Sequence, residues 1–147
     1  MRRIITGVDD EGRSCVVEES SFDGSVETIY ETATSPPPAR AGGHGADVDL
    51  GVAPGIARWI HVVFAPGAET PLHHTDTVDF DTIISGYVDI VLDDGPHRLG
   101  AGDCVLVAGV DHGWRAGPEG CTSSVIVLGT PPYRQPSRPG SGFSPPA

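Results

Sequence analysis

The chain has 147 residues, enough for one domain with a buried core and too few for two independent ones. Nine basic residues against 20 acidic ones give a formal charge of -11, with no basic run to offset it, so nucleic acid and membrane surfaces are not expected partners. Every basic residue is Arg, which excludes lysine Schiff-base chemistry, and 20 Gly with 14 Pro favour turns and short strands over long helices.

The first candidate elements are the β-branched and apolar stretches 3–8 and 13–18. They are separated by Asp9-Asp10-Glu11-Gly12, the composition of a hairpin. N-terminal strands are expected within 3–33. Residues 34–51 are rich in Pro, Gly and Ala, contain His44, and read as a mobile surface loop or a flap over an opening. From residue 56 the strand signal strengthens, at 56–64, 79–84, 87–92, 104–107 and 123–128. Turn signals fall between these stretches: Pro66-Gly67, Ser85-Gly86, Asp93-Asp94-Gly95, Gly100 to Asp103 and Pro118 to Gly120. Short strands at such spacing predict an all-β antiparallel sandwich or barrel with few or no helices. The barrel domain is expected to span 1–130, with its core at 56–128. Residues 131–147, rich in Pro and Gly, read as an extended tail.

Cys15, Cys104 and Cys121 form no CxxC pair, so neither a disulfide framework nor a structural zinc site is indicated. The opening Met1-Arg-Arg-Ile-Ile leaves no room for a signal peptide and no run reaches transmembrane length, so the expected location is cytoplasmic.

Two glycine-framed segments carry the chemistry. The first runs from Gly67 through His73, His74, Thr75 and Asp79 to Gly86. The second runs from Gly102-Asp103 to Asp111-His112-Gly113-Trp114. If the strands close into a barrel, His73, Asp79 and His112 can meet at one point although far apart in sequence. Alternation along 79–84 would turn Asp81 and Ile83 inward with Asp79, leaving Asp81 as an unligated carboxylate in the cavity, suited to proton transfer. Trp59 and His61 share one face of their strand, its direction open, and Trp114 shares the face of His112.

Gly67–Gly86 and Gly102–His112 resemble the two signature motifs of the cupin superfamily, and with the hairpin between them the resemblance spans about residues 56 to 128. It implies a double-stranded β-helix, or jelly-roll barrel, that is commonly dimeric. Its metal ligands would be His73, Asp79 and His112, with His74 joining if a bulge turns it inward. Thr75 stands at the family's second histidine position, Asp79 replaces the usual Glu, and Ala108 and Ala116 stand where Pro and Asn are usual. One divalent ion, Fe, Mn, Ni, Co or Zn, suits two imidazoles and a carboxylate. The expected function is a lyase, dehydratase or isomerase acting by proton transfer on a small organic acid or carbonyl metabolite. Asp81 or His61 would be acid or base, and Thr75, Trp59 and Trp114 would line the substrate pocket. An Fe(II)-dependent dioxygenase and a non-catalytic ligand-binding barrel are the alternatives. A homodimer is expected from the resemblance and from strand edges that need cover.

Overall fold

The computed structural model describes residues 1–34 and 43–133. Among the described residues there are nine strands and no helix: β1 (Arg2–Val8), β2 (Ser14–Ser21), β3 (Ala46–Asp47), β4 (Ala57–Phe64), β5 (His73–His74), β6 (Thr77–Leu92), β7 (Gly95–Gly100), β8 (Cys104–Val107) and β9 (Gly113–Gly129). Among the described residues no helix is long and apolar enough to cross a membrane.

The two longest strands make the barrel. β6 pairs through Asp79–Thr82 with β8 and through Thr77–Thr82 with the end of β9, while its second half, Tyr87–Leu92, pairs with β7 and its Val88–Val91 with the start of β9. Each therefore runs through two sheets. The first sheet has the order β2-β1-β8-β6-β9-β4; β7 with the distal halves of β6 and β9 makes the second layer, continuous with the first through the two long strands, and β3 with β5 forms a separate two-stranded sheet. The change of sheet falls where the register shifts around Ser85 and Gly86. Gly86 has φ 70°, and a Cβ there would run into the carbonyl of Gly120, so the two strands can cross only if this position is bare.

The predicted turns at Ser85-Gly86 and Pro118–Gly120 are thus corrected. They bend continuous strands instead of reversing the chain, because each strand hands its pairing from one sheet to the other. β7 went unread in the sequence, since Gly95-Pro-His-Arg-Leu-Gly carries little apolar alternation. The N-terminal hairpin forms as β1 and β2. Ile4, Ile83, Val88, Ile90, Leu99, Val105, Val107 and Val110 fill the core, packing between the sheets from positions that alternate with outward residues. Part of the 34–51 loop (35–42) and most of the tail (134–147) lie outside the described residues.

Candidate functional site

A cavity of about 140 Å3 opens between the sheets. Ile60, Val62 and Phe64 of β4, Val125 and Val127 of β9, and Leu50 give it apolar walls. His73, Thr75, Asp79, Asp81, His112 and Trp114 bring all of its chemistry to one side. β6 delivers two carboxylates because Asp79 and Asp81 stand two residues apart on one face of a strand, as alternation predicts.

His73 and His112 face each other across a two-residue bridge in which each backbone N–H donates to the other's carbonyl at 2.9 Å. Their ring centroids are 4.4 Å apart. Each ring is oriented by its own backbone. Nδ1 of His73 lies 3.0 Å from the Pro71 carbonyl and Nδ1 of His112 lies 2.8 Å from that of Val110. A carbonyl only accepts, so Nδ1 carries the proton in both rings and the Nε2 lone pairs are left for the cavity. Burial pushes the His112 imidazole down to about 4, assisted by the nearby His73 and His74 and opposed by the Val110 carbonyl, and it stays neutral near pH 7. Trp114 meets the His112 ring edge-on at 5.8 Å.

A chain of hydroxyls supports Asp79. The Thr77 hydroxyl donates to its Oδ1 at 2.6 Å, and since that uses Thr77's one proton, the Thr75 hydroxyl donates to Thr77 at 2.7 Å. Burial pushes the Asp79 carboxyl up to about 6 despite the Thr77 bond and the proximity of His73. Asp81 is 7 % exposed, and burial together with the charge of Asp79 holds its carboxyl well above the usual carboxylate range. Among the described residues its Oδ2 has no hydrogen-bond partner. The arginines that could have paired with it are engaged elsewhere. Arg115 binds Asp89 at 3.0 Å, and Arg58 donates to the carbonyls of Leu50 and Gly51.

The three expected ligands line one cavity without closing on one point. Among the described residues, no group of three His, Cys, Asp or Glu side chains is gathered closely enough to hold a metal ion. The imidazole pair, with both Nε2 atoms free, fits a divalent cation; the carboxylate that would complete the set is turned to Thr77.

The expectation of His74 as a ligand is corrected. Strand alternation sends its ring to the face opposite His73, where Nδ1 lies 3.0 Å from Asp111 Oδ1. The Asp111 carboxylate also accepts the backbone N–H groups of His44 at 2.5 Å and Gly45 at 3.0 Å, and these bonds hold its carboxyl below the usual range although burial opposes them. The end of the 34–51 loop is therefore pinned, with β3 paired to β5 through Ala46–His73 and Asp47–His74. His44 is tied down where the sequence suggested mobility.

Residues 60–127 match the family model described as a cupin domain. The barrel is a cupin domain. Over 128 residues the chain is 30% identical to a cupin-domain-containing oxidoreductase, fogC, of Aspergillus ruber, covering 76% of this chain and 62% of that protein. It is 39% identical over 51 residues to the phomopsin biosynthesis cluster protein C' of Diaporthe leptostromiformis, covering 34% of this chain and 27% of the relative. The chain thus spans less than two thirds of the length of either curated relative. Among solved structures, the polyketide cyclase RemF from Streptomyces resistomycificus overlaps with a TM-score of 0.46 at 23% identity, over 48% of this chain and 53% of that one.

Two site expectations fail on the parity of β4. The cupin cavity takes Ile60, Val62 and Phe64, so His61 and Trp59 stand on the outer surface, Trp59 at 78 % exposure with its indole N–H on the Ser124 hydroxyl at 2.6 Å. His61 is removed as acid or base and Trp59 as part of the inner pocket. Both faces of this strand are apolar in sequence, and only the closing of the barrel selects one. Thr77 was missed as the support of Asp79; the Thr-x-Thr-x-Asp alternation from Thr75 was its available signal.

Proposed function

We propose that the cupin barrel is an enzyme acting by proton transfer on a small organic acid or carbonyl compound, as a lyase, dehydratase or isomerase, with Asp81 as its acid or base. The carrying observation is the second carboxyl oxygen of Asp81, buried at the cavity wall with no partner among the described residues. A carboxyl kept for structure is paired, and leaving one bare costs stability unless the bare oxygen serves a ligand. The cavity, at about 140 Å3, is well below the roughly 300–1,000 Å3 of pockets for drug-sized ligands, which favours a small metabolite.

His73 and His112 would hold a divalent cation through Nε2, with Asp79 as the carboxylate donor; Fe, Mn, Ni, Co and Zn all suit such atoms. A cation bound there supplies charge stabilisation to an enolate or carboxylate oxygen. The apolar walls keep water from Asp81, and Thr77 with Thr75 fixes the Asp79 carboxyl beside it. Trp114 would form one wall against the substrate.

Elemental analysis and metal titration test the cation site: His73→Ala and His112→Ala should abolish binding and His74→Ala should leave it intact. On a panel of small hydroxy and keto acids, Asp81→Asn should lower turnover by on the order of 10² to 10⁴ with metal content unchanged. A rate that survives the change removes Asp81 from the chemistry. A second reading, oxidation of the substrate by O₂ at a bound Fe(II), is favoured by the oxidoreductase names of two relatives, from Aspergillus ruber and Neurospora crassa. Oxygen uptake that depends on substrate separates the two.

A further inference from the structure

The outer face of the first sheet carries a second concavity, a groove of about 400 Å3, nearly three times the volume of the inner cavity. Its floor is sheet. By strand register Leu106 pairs with Phe80 and Phe80 with Ile126, so three neighbouring strands supply one apolar strip, and Ile126 pairs in turn with Trp59. Alternation along β6 gives Phe80 and Thr82 to this groove and Asp79 to the inner cavity, so the sheet itself separates the two. The irregular segment 27–30 closes one side. Tyr30 packs on Phe80 with ring centroids 5.7 Å apart, and Arg3 donates to the Ile29 carbonyl. On the other side stands Trp59, its indole N–H held on the Ser124 hydroxyl although most of the ring is exposed. Three aromatic side chains from three separate elements therefore border one groove, whose volume falls within the roughly 300–1,000 Å3 of small-molecule sites.

The polar groups at the Arg3 end narrow the chemistry. Nη1 of Arg3 is engaged by the Ile29 carbonyl and Nη2 by Glu18, but among the described residues its Nε–H is buried with no partner. A donor left bare in this way costs stability unless an acceptor reaches it. The charge at this end is already more than balanced: Glu18 pairs with Arg3, and the carboxylate of Glu27, which also lines the groove, accepts from the Gly24 N–H at 2.6 Å. In a chain of net charge -11, a further anion gains nothing here, whereas a neutral oxygen can take the Nε proton. The flat rings of Tyr30, Phe80 and Trp59 favour a flat apolar body.

We propose that this groove binds an uncharged planar aromatic compound of two or three fused rings bearing a carbonyl or hydroxyl oxygen. Its rings lie over Phe80 and Ile126 between Tyr30 and Trp59, and its oxygen accepts from Arg3 Nε. The catalytic reading of the inner cavity has no part in this argument.

Proton–nitrogen NMR of the full chain, titrated with 2-acetylnaphthalene, tests it. The chain has two tryptophans, so Trp114→Phe assigns the indole signal of Trp59, and Arg3→Lys assigns the Arg3 Nε–H by its loss. The compound should shift both signals saturably, with a Kd below about 1 mM, and leave the Trp114 indole in place. Trp59→Ala and Arg3→Lys should each weaken binding by about tenfold or more. 2-Naphthoate, with the same rings and a negative charge, should bind at least about tenfold more weakly than the ketone. No shift of Trp59 up to about 1 mM overturns the proposal. So does a shift confined to Trp114, which puts the compound in the inner cavity, and so does undiminished affinity in Trp59→Ala or tighter binding of 2-naphthoate. A Trp59 signal that moves with protein concentration alone means that a second copy fills the groove, and likewise overturns it. Should Arg3→Lys unfold, Trp59→Ala and the naphthoate comparison decide.

Discussion

Replacing Asp79 by Asn should stabilise the metal-free protein at neutral pH. The wild-type carboxyl is pushed up to about 6 from 3.8, so folding holds a proton that the unfolded chain releases. A group raised in this way contributes its full stability below pH 4 and loses it as the pH rises through about 6. Two pH units at about 1.4 kcal/mol each come to about 3 kcal/mol. His112 has the opposite sign: lowered to about 4 from 6.5, it destabilises the fold as the pH falls from 6.5 toward 4, by a similar amount. Asp81, raised as well, adds a slope of the same sign as Asp79, so the two carboxyls outweigh His112 and the wild type should lose stability as the pH rises from about 4 to 6. In Asp79→Asn the amide keeps an oxygen to accept from Thr77, Asp81 alone opposes the His112 slope, and Asp81 loses the neighbouring charge that adds to the effect of its burial. Urea unfolding of chelator-washed protein should therefore show no gain at pH 4 and a gain of about 3 kcal/mol at pH 7.5, roughly 6–12 °C in melting temperature for a chain of this size. A variant no more stable than wild type at pH 7.5 would refute the claim that burial strains this carboxylate.

Gly86→Ala should cost about 3 kcal/mol or more by urea unfolding, because a left-handed backbone and a collision with the Gly120 carbonyl act together where both long strands change sheet. A cost below about 1 kcal/mol would show that the bend tolerates a side chain. Asp111→Ala should free the backbone amides of His44 and Gly45, since it removes the oxygen that accepts from both. Their hydrogen exchange should accelerate by about tenfold or more while the core amides of β6 are unchanged, at a stability cost of about 1–3 kcal/mol. Unchanged exchange at both amides would mean that the pairing of β3 with β5 holds the loop without Asp111.

What was legible in the sequence was periodic or local. Alternation at Asp79, Asp81 and Ile83 gave the inward face of β6, since a strand puts every second side chain on one side whatever it packs against. The same rule sends His74 away from His73. The glycine frames and the histidines between them gave the barrel and its family, because the turns and the inward positions of this fold recur at set spacings. Tertiary structure decided three things. It chose the parity of β4, whose two faces are equally apolar, so that His61 and Trp59 went outside. It turned Ser85-Gly86 and Pro118–Gly120 from chain reversals into bends, because pairing partners on both sides of each bend keep the strand going. And it left Asp81 without a partner by committing Arg115 to Asp89 and Arg58 to backbone carbonyls. Period and turn chemistry are properties of a few neighbouring residues; a partner's position, and so the pairing of a buried charge, is fixed only when distant strands have closed around it.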